Sequence, residues 1–281
     1  MIYRNSSPHG VASPLRFACR HGRRLAAIAI AVVMFWMSWG STSILAAESL
    51  NSQRNSSLNL NSSPACTYDQ RRFHRNTGIG KFYQGREIAK VIGHQDLFWL
   101  ERPTREGEER PDLLLNLLDI APDATIADIG AGTGFLTVRL LDRLNENGRI
   151  LAIDVEPESQ DIIDFIARDR GETRITTILG SPSDPRLPEN SIDLAIMLDA
   201  YHEFEFPCEM MHNIKAALKP GGRVVLVEYR RENPLIPIKT LHKMTERQAK
   251  QEMAAAGFVW LDTREDLPSQ HIMIFEQKID R

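Results

Sequence analysis

Three glycines fall within five residues in Asp128-Ile129-Gly130-Ala131-Gly132-Thr133-Gly134, directly after the apolar run Thr125 to Ile129 and directly before an amphipathic stretch that opens at Phe135. A strand that runs into such a loop and out into a helix points to an α/β fold. Glycine lets the backbone turn sharply and approach a ligand, while the free amides at the start of the helix attract negative charge. The spacing also excludes. A dinucleotide fingerprint reads GxGxxG, but here the third glycine arrives one residue early and Phe135 stands where that fingerprint packs helix against strand. A P-loop is excluded because no Gly-Lys-Ser/Thr follows. Asp154, twenty residues beyond Gly134, stands near the end of the next apolar run, and an acid at that strand edge can take both hydroxyls of a ribose.

Around this loop, short apolar runs alternate with amphipathic stretches. The pattern predicts strands over 125–130, 149–155, 174–179, 193–199 and 223–229, with helices over 135–144, 158–168 and about 207–218 between them. The first helix would bury Phe135, Leu136, Val138, Leu140, Leu141 and Leu144. Lys219-Pro220-Gly221-Gly222 predicts a tight turn ahead of the fifth strand. Thr245 can cap a helix that runs to Ala256 with Gly257 as its stop, and residues 258–278 read as a hairpin. Strand–helix units closed by a hairpin imply a mainly parallel sheet covered on both faces.

DIGAGTG, AIDVEP, LPENSIDLAIMLDAYHEF and LKPGGRVVLVEY, in this order and spacing, resemble the successive motifs of class I S-adenosylmethionine-dependent methyltransferases, over roughly Pro111 to Ile274. The resemblance implies a Rossmann-like doubly wound α/β sheet of seven strands in the order 3-2-1-4-5-7-6, strand seven antiparallel. It also implies S-adenosyl-L-methionine as cofactor and a methyl acceptor, read here as a small molecule. Carried over by position, Asp128, Gly130, Ala131, Gly132, Thr133 and Gly134 would line the methionine part, with Asp128 near its ammonium group. Asp154 would grip the ribose, Val155 would lie against the adenine, and Leu198 and Asp199 would border the sulfonium and the acceptor entrance. One departure stands out. Where the family often has Gly-Asp-Ala, this chain has Gly180-Ser181-Pro182, and Pro182 has no amide to donate, so adenine recognition would shift to the Ser181 hydroxyl or to Asp184.

Methyl transfer from a sulfonium is an in-line displacement that needs alignment, and a base only where the acceptor must lose a proton first. Candidates for catalysis cluster in Asp199-Ala200-Tyr201-His202-Glu203, past the fourth strand, where open parallel sheets place their ligand crevice. His202 is the first choice for a base or an acceptor-orienting group, because imidazole titrates near neutrality; the bland alternative is a bond to a loop carbonyl. Tyr201 would shape an acceptor pocket or pack on the sheet edge. Arg230 or Lys243 could hold an acidic substrate, or else belong to a solvated loop. Upstream, residues 73–110 are expected to form a lid, with Tyr83, Arg86, Glu87, His94 and Trp99 as candidate acceptor contacts. His271 reads as a structural histidine, and no His/Cys/Asp spacing points to a metal.

Composition varies along the chain. Residues 1–47 hold five arginines and no acid, so they carry +5 while the remainder carries 29 minus 37, or -8, of the net -3. An acidic remainder argues against a bulk nucleic-acid substrate. Arg23-Arg24 precede the fifteen-residue uncharged run Leu25 to Trp39 and a small-residue stretch to Ala47, the layout of an export signal, or of a retained membrane anchor if residues 25–47 are counted together. Either would place the rest outside the cytoplasm; the domain is cytoplasmic if this leader does not function. Residues 48–72 are rich in Asn and Ser and read as a flexible tether, so residues 111–281 form the methyltransferase-like domain. Cys19, Cys66 and Cys208 form no CxxC pair and give little support to a disulfide scaffold. The competing reading is a catalytically silent binding or scaffolding protein that keeps the fold.

Overall fold

The computed structural model describes residues 66–93 and 97–278. The expected signal or anchor of residues 1–47, most of the tether and His94 lie outside them. Among the described residues no helix is long and apolar enough to cross a membrane.

The central sheet is built from β4 (Thr125–Ile129), β5 (Arg149–Asp154), β6 (Ile175–Leu179), β7 (Ile192–Leu198), β8 (Leu218–Tyr229), β9 (Phe258–Arg264) and β10 (Gln270–Gln277). Its spatial order is β6-β5-β4-β7-β8-β10-β9, parallel from β6 to β8, with β10 antiparallel to both of its neighbours. Counted within the sheet this is 3-2-1-4-5-7-6, as the resemblance implies. Side-chain alternation explains the two covered faces. Along β8, Val224 and Leu226 face one core while Val225 and Val227 face the other; along β10, Met273 and Phe275 oppose Ile272 and Ile274 in the same way. On one face Met210, Met211 and Ile214 of α6 (Pro207–Ala217) pack with Ala249 and Met253 of α7 (Glu246–Ala255). On the other, Leu114 and Leu115 of α3 (Pro111–Leu117) pack with Leu136 and Leu140 of α4 (Phe135–Leu140).

Most predicted ends hold. Thr245 caps α7, its hydroxyl accepting from the Gln248 amide at 3.1 Å, and α5 (Pro157–Asp169) starts on a proline. Two differ. The helix from Phe135 ends at Leu140 and tightens into a 3-10 turn over Leu141–Arg143, because the chain must swing back to begin β5. The Lys219–Gly222 stretch does not stand apart as a turn but lies within β8, with Gly221 at φ +79° and a register shift between Ile192 and Leu194 of the neighbouring β7.

The N-terminal part is a second, antiparallel sheet of β1 (Asp69–Gln70), β2 (Gly78–Tyr83) and β3 (Arg86–Ala89), followed by α1 (Leu97–Leu100) and α2 (Arg105–Glu109). The tether therefore ends earlier than its composition suggests. Cys66 is disulfide-bonded to Cys208 on α6, and Asp69 and Gln70 already pair with Phe82 and Lys81. The small sheet is joined to the large domain through buried Arg86, whose Nε and Nη2 donate to the two carboxylate oxygens of Glu252 on α7 at 2.7 and 2.8 Å. Its Nη1 donates to the His202 carbonyl at 2.9 Å.

Candidate active site

The carboxyl ends of β4, β5 and β7 open into a cavity of about 430 Å³, the crevice position expected of an open parallel sheet. Its floor is the glycine loop with Asp154, Val155 and Leu198. Trp99, Arg105 and Glu109 form one wall, and His202, Glu203, Ile238 and His242 another.

The glycine loop is held open by main-chain bonds. The Gly130 and Ala131 amides both donate to the Ile153 carbonyl, at 2.8 and 3.0 Å, and the Gly132 amide donates to Asp154 Oδ2 at 2.8 Å. Gly130 sits at φ +76°, and a Cβ there would lie 2.7 Å from that of Ala200, so no other residue fits without displacing the loop after β7. At Gly132 a Cβ would meet only Leu100, at 3.8 Å, and would project into the cavity. Asp154 Oδ1 accepts from the Glu156 amide at 2.9 Å, so both its oxygens are oriented at the cavity wall while burial raises its pKa. Asp128 is buried beneath the loop and accepts from the Thr137 hydroxyl at 2.6 Å; burial, with nearby Asp154 adding, pushes its carboxyl up to about 6. The Thr133 hydroxyl donates to Glu101. Val155 is 39% exposed at the cavity edge, an apolar face without cover. Ser181 and Pro182 line the cavity, but the Ser181 hydroxyl turns to the Asp184 carbonyl at 3.4 Å, and the Asp184 carboxylate is taken by the Arg186 amide at 2.7 Å.

Beyond β7 the chain turns through Asp199, at φ +51°, into a 3-10 turn over Tyr201–Glu203. Asp199 Oδ2 accepts from Gln270 Nε2 at 2.6 Å, while the buried Oδ1 has no partner among the described residues. Burial, reinforced by Glu109 and Glu228, holds this carboxyl well above the usual range. His202 Nδ1 is 2.6 Å from Glu228 Oε2 on β8, and its Nε2 is 3.2 Å from His242 Nδ1. Burial alone would pull the imidazole down, but Glu228 and Glu203 outweigh it and push His202 up to about 10. The Glu228 contact fixes the ring at the cavity wall, where His202 can orient an acceptor.

Other candidates fall elsewhere. Tyr201 does not line the cavity; its fully buried ring packs in the core against Phe204, so it serves the sheet edge. Tyr83 is buried beside the disulfide, Arg86 pairs with Glu252, and Glu87 accepts from the Arg75 amide, which leaves Trp99 as the described member of that group that reaches the cavity. Arg230 is spent on Glu265 and the carbonyls of Leu267 and Pro268, and Lys243 on those of Asn233 and Ile236. His271 is bound by Glu265 and Glu232, the structural role expected of it. The sequence reading missed Glu109, which accepts from Tyr229 at 2.8 Å, Arg102 at 2.7 Å and Arg105 at 2.8 Å, and it gave no site role to His242, while Glu203 stood in the candidate cluster without a role of its own. Acids and histidines spread over some 130 residues carry no local spacing that could have joined them.

The family described as a methyltransferase domain matches residues 120–275 of this chain. An uncharacterized methyltransferase of Mycobacterium tuberculosis is 30% identical over 122 residues, covering 43% of this chain and 46% of that protein. A ubiquinone/menaquinone biosynthesis C-methyltransferase of Wigglesworthia glossinidia brevipalpis is 29% identical over 110 residues, covering 38% and 44%. The chain spans about half the length of these curated relatives. Among solved structures, a SAM-dependent methyltransferase from Aquifex aeolicus aligns with a TM-score of 0.62 at 19% identity, over 66% of this chain and 98% of that one. A [4+2]-cyclase aligns with a TM-score of 0.52 at 18% identity, over 61% and 80%. At such identities the likeness speaks for the fold alone.

Proposed function

This chain belongs to the methyltransferase-domain family, and from that premise we propose that it transfers a methyl group from S-adenosylmethionine to a small-molecule acceptor. The observation that carries the reading is the pairing of an open glycine cradle with an acid whose two oxygens are fixed at the cavity wall, Gly132 with Asp154. The residues fit this cofactor. Asp154 can accept from the ribose hydroxyls, Val155 offers its apolar face to the adenine, and Asp128 supplies a carboxylate for the ammonium group. Bound there, the cofactor supplies an electrophilic methyl group on a sulfonium. What the chain supplies is alignment and exclusion of water: Trp99 covers the cavity, Leu198 closes its floor, and Asp199 brings an unpartnered carboxyl oxygen to the acceptor end.

Calorimetry on the full chain with S-adenosylmethionine and S-adenosylhomocysteine tests this. Asp154→Ala removes two charge-assisted bonds of about 1.5–3 kcal/mol each, so binding weakens on the order of 10²–10⁴-fold. Unchanged affinity in the variant refutes the assignment, and no binding by the parent chain returns the protein to a scaffolding role.

We also propose that the domain works in an oxidising compartment outside the cytoplasm. The Cys66–Cys208 disulfide supports this, because such bonds persist where thiols are not kept reduced, and the basic-then-apolar order of residues 16–39 supports the same direction. Thiol labelling of cell fractions checks it: both cysteines stay blocked until reductant is added, and labelling without reductant contradicts it.

A further inference from the structure

We propose that His202, Glu203 and His242 form a binding site for a first-row divalent transition-metal ion at the acceptor end of the cavity. The three come from two segments, the turn Tyr201–Glu203 after β7 and the turn Thr240–His242 after β8. Their ligand atoms converge. His202 Nε2 lies 3.2 Å from His242 Nδ1 and 3.6 Å from Glu203 Oε1, and His242 Nδ1 lies 3.1 Å from Glu203 Oε1. Ligands about 2.1 Å from one ion stand about 3.0 Å apart at a right angle and about 3.4 Å apart at the tetrahedral angle. The triangle therefore has the dimensions of one face of a coordination polyhedron, and an ion about 2.1 Å from all three atoms would lie about 0.9 Å off their plane. Two imidazoles and a carboxylate on one face leave the remaining positions open, and all three residues line the cavity.

Hydrogen bonding among the three serves two edges of the triangle: a proton on His242 Nδ1 can be shared between Glu203 Oε1 and His202 Nε2, while the 3.6 Å edge from His202 Nε2 to Glu203 Oε1 is left open. A cation satisfies all three lone pairs at once. The surroundings are those of a built site. Glu228, fully buried on β8, accepts from His202 Nδ1 at 2.6 Å and so turns Nε2 toward the ion, the carboxylate–histidine–metal arrangement. The second oxygen of Glu203 accepts from the Ile92 amide at 3.0 Å, and Arg86 fixes the His202 carbonyl. Two carboxylates beside two imidazoles match a divalent charge, the ion displacing a proton from the His202 ring as it binds. The other described cluster of ligating types, Cys66, Cys208 and His212, has its sulfurs closed in the disulfide. Seated beside Asp199, the ion would hold an acceptor through a hydroxyl oxygen or a thiol sulfur; that acceptor class rests on the methyl-transfer reading, whereas the metal site does not.

The full chain, stripped with a chelator and checked by elemental analysis, is titrated with Co(II) and Zn(II) by calorimetry, and the Co(II) complex is examined by absorption. One equivalent is expected, with a nitrogen and oxygen ligand spectrum free of thiolate bands. His242→Ala and Glu203→Gln should each weaken binding by about 100-fold, and Glu228→Gln by about 10–100-fold. Metal-free melting temperature is recorded for every variant, and the isosteric Glu203→Gln decides the matter should His242→Ala fold poorly. No binding by the parent chain, or equal binding in parent and Glu203→Gln, overturns the proposal. S-adenosylhomocysteine is titrated in parallel, so a chain that binds it but no metal refutes the metal site and leaves the methyl-transfer reading standing.

Discussion

Asp128 gives the sharpest test of how the cavity handles its ligand. Burial beneath the glycine loop lifts its carboxyl from 3.8 to about 6, so below about pH 6 the folded, ligand-free protein holds it mainly protonated. Below about pH 4 the group is protonated in both folded and unfolded chains and costs nothing. As pH rises from about 4 to about 6 the unfolded chain gives up its proton first, and stability falls by a total of about 3 kcal/mol. A ligand ammonium beside the carboxylate reverses the preference. Binding then favours the ionised form, so affinity for S-adenosylhomocysteine should climb up to tenfold per pH unit to about pH 6 and level off until the ligand's own amino group loses its proton near pH 8. Asp128→Asn keeps the bond from Thr137 but removes the charge. It should flatten the acidic limb, weaken binding at pH 7 by about 10- to 100-fold, and raise the ligand-free melting temperature at that pH. Calorimetry from pH 5 to 8.5 on both proteins checks all three. An acidic limb of equal slope in parent and variant refutes the reasoning, because the titrating group would then lie elsewhere.

Three further outcomes follow from the packing. Reducing the Cys66–Cys208 bond, or replacing both cysteines with serine, opens a loop spanning a sequence separation of 142; chain entropy puts the cost at up to about 5 kcal/mol, and melting with and without reductant should differ by roughly 10 °C or more. Glu252→Gln strands the fully buried Arg86 charge and should destabilise by about 3–5 kcal/mol, measured by denaturant titration; a change within error would mean water reaches the pair. Gly130→Ala meets both φ +76° and a 2.7 Å approach to Ala200, and so should lower the melting temperature and weaken S-adenosylhomocysteine binding together; loss of neither would show that the loop after β7 yields freely.

The contrast between what was legible in the chain and what was not has one physical origin, the sequence distance over which the determining contacts act. The β4–loop–α4 unit, Asp154 at the end of β5 and the β9–β10 hairpin are each written within about 25 residues, as apolar period, glycine and a cap, and they stand where the residues indicate. The seven-strand order came from likeness, since nothing in Ile192 or Ile272 states which strand it will pair with. The N-terminal sheet was lost because β1 is two residues long and lies next to an Asn/Ser-rich stretch; what orders it is Cys66 reaching Cys208 and Arg86 reaching Glu252, contacts across 142 and 166 residues. The same limit hid the second half of the site. His202 was visible because it follows a strand end, but its role depends on Glu228, 26 residues on, and His242, 40 residues on, neither marked by any local pattern. A solvated histidine reads as a base. The same residue set against Glu228, Glu203 and a second imidazole is oriented by contacts that lie up to 40 residues away, so local sequence leaves its role open between base and acceptor-orienting group.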